Sequence, residues 1–578
     1  MSFATHGQLS ERTPCLVVEV DLDWIEDDCQ TVAATNGDAS LCYRTPATTD
    51  QGELAVTIKT RRWMTSTQRP LPELGAIPCL AGVKIAAEEV RVGRGLGFFG
   101  QATIDLIDFV DDDRREDPFY DHASRSGVDH SAGTYFGKLL ARNPYLTGRS
   151  LRVIEGWATG GVWHEADAIT HHYLIRDVQG PSAGRLRITA AGPLQLLNLG
   201  EIEAPAPSEG VLEADITDSD AVATIPDPVI AEDYPASGLV RIGDEVILYT
   251  RTGQSLALTR AREGTVAEDH AAGDTIQMCV QYTDTPITDI LADLLTTYGH
   301  VPASLLALDE WAGEQATWLN LYNLSGLVSQ PTKVLELVQE LLEASACILW
   351  WDDARGQVRL RAQRPAVSSR GIWGDKFHLL GPPIYKRDLA ERVSRTDVLL
   401  DLRSGDKDPK DSSSYRVRLL GISQGAEAEE HGSEKVKLIG TRWLSVAQIA
   451  LAARASAQTT GQLRDGRQSI QVEVAAKDAN RQIGDVIDIR SKDIVDRTGQ
   501  PLTTRGIITK REAITYGSRY RYSIEVIPFG IGTRFAFYTD TDIPDYDDAA
   551  DYQRDPGGFY GPADGSGFGP QDPSYLYG

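Results

Sequence analysis

Six cysteines, Cys15, Cys29, Cys42, Cys79, Cys279 and Cys347, are the residues of this chain best suited to hold a metal or to react. Six in 578 residues is too few for a disulfide scaffold, which leaves free thiols, core residues or metal ligands. Cys29, Cys42, Cys79 and Cys279 fall at the edges of predicted strands or in loops, with separations of 13, 37 and 200 residues. No CxxC knuckle is present, so a metal site would have to be assembled by folding distant segments together. The alternative is that these thiols pack as small hydrophobes. Cys15 lies in a predicted strand and Cys347 precedes ILWW, so both read as core.

Other chemistry-bearing patterns weaken on inspection. Gly95, Gly97 and Gly100 satisfy GxGxxG, but a dinucleotide site needs a helix directly after them. Here the strand QATIDLIDFV follows, so the glycines form a turn between strands. WHEADAITHH brings together His164, Glu165, Asp167, His171 and His172, yet Ala168 stands where HExxH requires histidine. His164 and Asp167 then read as polar loop residues before a strand. Asp111, Asp112, Asp113, Glu116 and Asp117, interrupted by Arg114 and Arg115, lack the EF-hand order of ligands and glycine. A solvated or intersubunit loop is expected there. No GxSxG element, P-loop or hydrolase constellation occurs, so the chain reads as a non-enzyme.

The elements that must position these residues form several blocks, because the chain is too long for one core. Residues 1–205 form a β-rich domain with strands CLVVEVDLDW and QATIDLIDFVDDD and a hairpin turning at residues 181–184. Residues 206–280 open on APAPSEG and continue with short strands and Gly-centred turns, a small inserted β-module in which Tyr234 or Tyr249 could face a sugar. Residues 281–535 mix helices and strands without regular βαβ alternation. One helix is capped by Asp284 or Thr285, takes Pro286 in its first turn and stops at Gly299. Its Ile287, Ile290, Leu291, Leu294 and Tyr298 share a face. A second, TKVLELVQELLEAS, presents Val334, Leu335, Val338, Leu341 and Leu342, and the hairpin CILWWDD–QVRLRAQ follows. Residues 536–578, rich in Asp, Gly, Pro and Tyr, lack a core pattern and read as a docking segment. The fold class is α+β, a β-rich multidomain protein.

Charge and hydropathy narrow the function. The net charge of 57 − 83 = −26 excludes wrapping nucleic acid by phosphate neutralisation, though DNA could pass along such a surface without specific binding. No secretory leader pattern opens the chain, and no apolar run approaches the ~20 residues that span a bilayer. A soluble protein made in the cytoplasm of the expressing cell is expected.

MCVQYTDTPITDILADLLTTYGHVP at 278–302 resembles a segment of the central tail-hub (baseplate hub or tail-tip) proteins of long-tailed bacteriophages and gene-transfer particles. PCLAGVKIAAEEVRVGRGLGFFGQATIDLIDFVDDD, GKLLARNPYLTGRSLRVIEGW, GLVRIGDEVILYT, LVQELLEASACILWWDDARGQVRL and RFAFYTDTDIPDYDDAADYQRDPGGFYGP extend the resemblance in order along the chain. The resemblance implies a virion structural protein: a homotrimer whose subunits each contribute two barrel-like, tube-closing hub domains. Three subunits then make a pseudo-sixfold ring that closes the tail tube and opens for genome ejection. Implied partners are a distal tail protein hexamer, the tape-measure protein and a central fibre or receptor-binding tip. Some relatives carry an iron–sulfur cluster, [4Fe–4S], and the matching segments point to Cys29, Cys42, Cys79 and Cys279 as its ligands. ATTD stands where the family more often has ATCQ-like text, so Thr49 replaces one possible cysteine. Such a cluster would staple the N-terminal block to the far end of the insert; zinc or a plain core role are the alternatives. A carbohydrate-binding or cell-envelope-degrading tail-tip protein is the competing function.

Overall fold

The computed structural model describes residues 8, 12–25, 56–66, 74–86, 89–90, 95–97, 100–114, 129–197, 202–363, 369–423, 427, 432–496, 498–526, 534–537, 558–559 and 574–577. The protein is β-rich and multidomain. Its first domain uses β1 (Arg12–Ile25), β2 (Val56–Thr65), β3 (Ile77–Ala86), β4 (Gln101–Ile107), β5 (Ser150–Thr159), β6 (Val162–Trp163), β7 (Ile169–Ser182) and β8 (Arg185–Ala191). Seven of these close a barrel in the order β1-β2-β3-β4-β8-β7-β5, with β5 returning to β1 and the short β6 beside β5. The closing register runs from Arg12↔Thr159 to Val20↔Leu151.

Alternation along β1 explains the two faces of this wall. Val18, Val20 and Leu22 join Trp63, Ile104, Leu151, Val153 and Ile188 in the barrel core. Cys15 and Val17, of the opposite parity, pack with Met64, Leu74, Ile154 and Trp163 on the other side. Helix α1 (Tyr135–Arg142), capped by the Thr134 side chain accepting from the Gly137 N–H, inserts Tyr135, Phe136 and Leu139 into the barrel core. It also corrects the solvated reading of the acidic run at Asp113 alone, since Asp112 is exposed and Asp111 half-buried. Asp113 is buried, held by the Arg142 guanidinium and 3.8 Å from Lys138 Nζ. Glu116 and Asp117 lie outside the described residues.

The chain leaves the barrel through β9 (Glu203–Ala204) into a five-stranded sheet. Its strands are β10 (Val222–Thr224), β11 (Ser237–Ile242), β12 (Glu245–Thr252), β13 (Ser255–Arg262) and β14 (Gln277–Met278), in the order β10-β13-β12-β11-β14. Tyr234 and Tyr249 lie in its core, 1% and 2% exposed, with ring centroids 6.4 Å apart. The Tyr234 hydroxyl donates to the Ile276 carbonyl at 2.5 Å. Neither ring is presented to a sugar, which corrects that expectation.

β15 (Val280–Pro286) pairs with β16 (Asn323–Val328), and β17 (Thr332–Lys333) returns to pair with β9. Between β15 and β16 lies helix α2 (Ile287–Asp293), prolonged by a wider turn over Leu294–Tyr298 that ends at Gly299. Its cap is Pro286, with no side-chain hydrogen bond, not Asp284 or Thr285. Ile287, Ile290, Leu291 and Leu294 are fully buried, as their spacing requires. α3 (Val334–Ser345) buries Val334, Leu337, Val338, Leu341 and Leu342, so Leu337 is a core position that the sequence reading missed, while Leu335 is only partly buried. The hairpin β18 (Cys347–Asp352) and β19 (Gln357–Ala362) follows, with β18 buried along its whole length. Gly95 (φ +73°) accepts from the Leu349 N–H at 2.9 Å, and a Cβ there would lie 2.8 Å from Leu342 Cβ. That glycine is therefore the place where the first block crosses onto α3 and β18.

Where a second barrel-like domain was expected there is a six-stranded sheet in the order β20-β26-β27-β28-β25-β21, with no pairing of β20 to β21 among the described residues. Its strands are β20 (Ile372–Gly374), β21 (Ile384–Asp388), β25 (Arg467–Ala475), β26 (Val486–Val495), β27 (Pro501–Thr515) and β28 (Arg519–Val526). Between β21 and β25 the chain forms a three-stranded sheet of β22 (Arg395–Leu402), β23 (Tyr415–Ile422) and β24 (Val436–Gly440), against which helix α4 (Ile449–Leu463) packs. Beyond β28, Arg534–Phe537 pairs in parallel with Gly558–Phe559 and Ser574–Tyr577. The other residues of the expected docking segment lie outside the described residues.

Candidate functional site

Two of the four candidate ligands can be placed. Cys79 is within β3, its side chain in the barrel core, and burial pushes its thiol up to about 12. Cys279 sits between β14 and β15, near Arg241 and Glu263, and burial pushes it up to about 12 as well. Cluster ligands are thiolates, so both residues stand in settings that favour the wrong protonation state until a metal displaces the proton. Cys29 and Cys42 lie outside the described residues. Among the described residues no group of three or more His, Cys, Asp or Glu is arranged to hold a metal. Cys15 and Cys347 are buried, as expected for core positions.

A buried cluster of charge lies elsewhere, at the junction of the barrel with the six-stranded sheet. His171 on β7 is 3% exposed. Its Nδ1 meets Asp353 Oδ2 at 2.9 Å and its Nε2 meets Glu155 Oε1 at 3.2 Å. Glu155, on β5, also accepts from Arg511 Nη2 of β27 at 2.5 Å and from the Tyr520 hydroxyl of β28 at 2.9 Å. Asp353, in the β18–β19 turn, accepts from the Tyr173 hydroxyl at 2.9 Å. The Arg511 guanidinium carbon lies 4.8 Å from the centroid of the Tyr520 ring, a cation–π contact. Three parts of the chain, 182 and 356 residues apart in sequence, thus meet in one seam.

Burial opposes charge on each group, yet the partners prevail. Asp353 and Glu155 raise His171 to about 9 despite burial. Arg511 and His171 hold Glu155 down at about 2 against the same penalty, and His171 holds Asp353 at about 2. Two cations face two anions, and aromatic hydroxyls fill the remaining lone pairs, which is the condition under which buried charge is tolerated. Both ring nitrogens of His171 are engaged by carboxylates, so neither is left to serve a substrate. The arrangement ties domains together.

Apolar contacts continue the seam. Trp157 and Ile169 of the barrel belong to the same buried cluster as Ile470, Val472, Ile508 and Tyr520 of the second sheet. At the β27–β28 turn Gly517 (φ +68°) approaches so closely that a Cβ would collide with Pro14 and lie 3.0 Å from the Trp157 ring. The sequence marked His171 only as part of an incomplete zinc-protease pattern. Nothing local pointed to Asp353 or Arg511.

Another buried carboxylate organises the insert. Glu245 accepts from Arg260 Nη2 at 2.6 Å, the Ala261 N–H at 2.8 Å and the Glu268 N–H at 3.3 Å, and meets His270 Nε2 at 3.0 Å. Burial would raise its pKa, but these partners hold it at about 2.

No protein-family model matches the chain, and no curated protein matches it. Among solved structures, the tail protein from Neisseria meningitidis MC58 is similar at 8% identity and a TM-score of 0.37, over 77% of this chain and 96% of that one. The 43 kDa tail protein of prophage MuSo2 from Shewanella oneidensis is similar at 10% identity and a TM-score of 0.34, over 76% and 97%. The virion of a native gene transfer agent particle is similar at 12% identity and a TM-score of 0.29, over 64% and 80%. Structural neighbours of this chain thus include a tail protein, prophage tail proteins and a gene transfer agent virion.

Proposed function

We propose that this chain is a non-enzymatic virion structural protein, the trimeric central hub at the tail tip or baseplate. In that role it closes the distal end of a phage tail tube, connects it to the tip or central fibre and opens for DNA ejection. The observation that carries this reading is the pairing, in one chain, of a closed barrel with a second six-stranded sheet across a buried charged seam. Three copies would bring six β units to one ring, matching the sixfold tube that the sequence resemblance implies. Charge supports it too, because a net −26 suits a surface past which DNA slides without adhering. The distal tail protein hexamer, the tape-measure protein and a receptor-binding tip are the partners of such a ring. An iron–sulfur cluster on Cys29, Cys42, Cys79 and Cys279 belongs to the same proposal and rests on the resemblance.

Native mass spectrometry of the purified full chain tests the hub reading, with a trimer expected and six lobes around an axis in negative-stain images. A monomer at every concentration, or a ring of another order, would overturn it. Iron and acid-labile sulfide after anaerobic purification test the cluster separately: about four of each per chain is expected, and their absence with titratable thiols would remove it.

A further inference from the structure

One edge of the six-stranded sheet carries an apolar and basic strip that is open among the described residues. The chain from Phe377 to Leu389 runs beside β25. Lys477 Nζ donates to the Phe377 carbonyl at 2.6 Å, the Leu380 N–H donates to the Glu473 carbonyl at 2.9 Å, and β21 pairs from Ile384↔Gln471 to Asp388↔Arg467. Phe377, Leu380, Ile384, Tyr385 and Leu389 are all exposed, Phe377 at 74%. β21 pairs with β25 alone, and its far side carries no strand among the described residues. An apolar edge of this kind invites a partner. The side chains of Lys376, Lys386 and Arg387 make no hydrogen bond or ion pair among the described residues.

The insert presents the complement. Residues 206–280 hold fourteen acidic residues against four arginines. Acidic groups flank β10, the edge strand of the insert's sheet. The Glu213 N–H donates to the Thr224 carbonyl of β10 at 3.0 Å, and Asp218 and Asp220 stand in the turn that leads into the strand. The carboxylates of Glu213 and Asp218 have no partner among the described residues. Val222 on β10 and Val229 on the short helix Pro228–Glu232 that follows are exposed. The two surfaces are thus apolar and of opposite charge. Both are exposed in one copy of the chain, so neither covers the other within a subunit.

We propose that the β21 strip of one subunit docks against the β10 edge of the next subunit's insert. Lys386 and Arg387 face Glu213 and Asp218 across the contact, and Phe377 and Ile384 pack against Val222 and Val229. Because the two surfaces differ, the contact is head-to-tail, the kind that closes into a ring. A second copy is favoured over an anionic bilayer, which repels a chain of net charge −26. The inference deepens the hub proposal and rests on its ring of three, for which it names one contact between neighbours.

Sedimentation velocity of the full chain over a dilution series tests it. The parent is expected to sediment as a trimer. K386E/R387E and E213K/D218K, each alone, are expected to raise the concentration at which trimers dissociate roughly a hundredfold, because like charges then meet across the contact. All four substitutions in one chain are expected to restore the trimer, which a variant that had merely unfolded would not show. Trimers of parental stability in both separate reversals, or no recovery in the combined chain, would overturn this contact and leave the hub reading standing. A monomeric parent would overturn the hub reading and this contact with it.

Discussion

Replacing His171 by Gln should loosen the seam in a way that pH reveals. His171 is raised from 6.5 to about 9 in the folded chain, so its contribution is fully present below about pH 6.5 and is lost as pH rises through about 9. That shift corresponds to roughly 3 kcal/mol, comparable to the cost of breaking a buried ion pair. The carboxylates run the other way: Glu155 and Asp353 are held at about 2, so their contributions are present above the ordinary carboxylate range and fade only as pH falls toward 2. Glutamine keeps a polar side chain but carries no proton to lose. In urea unfolding followed by tryptophan fluorescence, H171Q is expected to be less stable by roughly 3 kcal/mol at about pH 6. The gap should shrink toward about pH 10. Taking the difference between the two proteins removes the titration of tyrosines, lysines and thiols common to both. A gap of the same size at every pH, or one that widens in base, would refute a charged His171 as the centre of the seam.

Glu245→Gln should melt the insert before the rest of the chain, by roughly 3 kcal/mol, because Arg260 loses its buried counter-ion. Hydrogen exchange over residues 210–278 would show it, and unchanged protection there would count against the carboxylate as organiser. Gly517→Ala should cost roughly 1–3 kcal/mol through its left-handed φ and its collision with Pro14. The matching Gly253→Ala, at a turn where a Cβ meets nothing within 4 Å, should bear only the backbone part of that cost. Thermal unfolding of the two variants compares them directly. Cys79→Ala should destabilise the barrel whether or not metal is bound, since the thiol fills a core position.

The elements and their faces were readable because hydrophobic period is a local signal. The alternation in CLVVEVDLDW and the spacing of Ile287, Ile290, Leu291 and Leu294 needed no partner to be seen. The insert also announced itself through its glycines and APAPSEG. What stayed hidden is whatever depends on distant residues. Tyr234 and Tyr249 looked available because no local feature says that Ile276 and Leu256 will close over them. Asp113 looked solvated because Arg142 reaches it only once α1 has entered the barrel. The seam is the extreme case: His171 sits in an unremarkable pattern, and its meaning lies with an aspartate after β18 and an arginine on β27.

The two ends of the insert are stitched to each other. The Ser208 N–H donates to the Gln277 side chain, the Met278 N–H donates to the Ser208 hydroxyl, and Gln277 Nε2 donates to the Ala206 carbonyl. A unit whose incoming and outgoing strands leave side by side acts as a cassette. It can be lengthened, shortened or exchanged for an unrelated fold while the barrel and the second sheet keep their positions. A protein engineer could graft a reporter or an affinity module between residues 208 and 277 without redesigning the barrel or the second sheet.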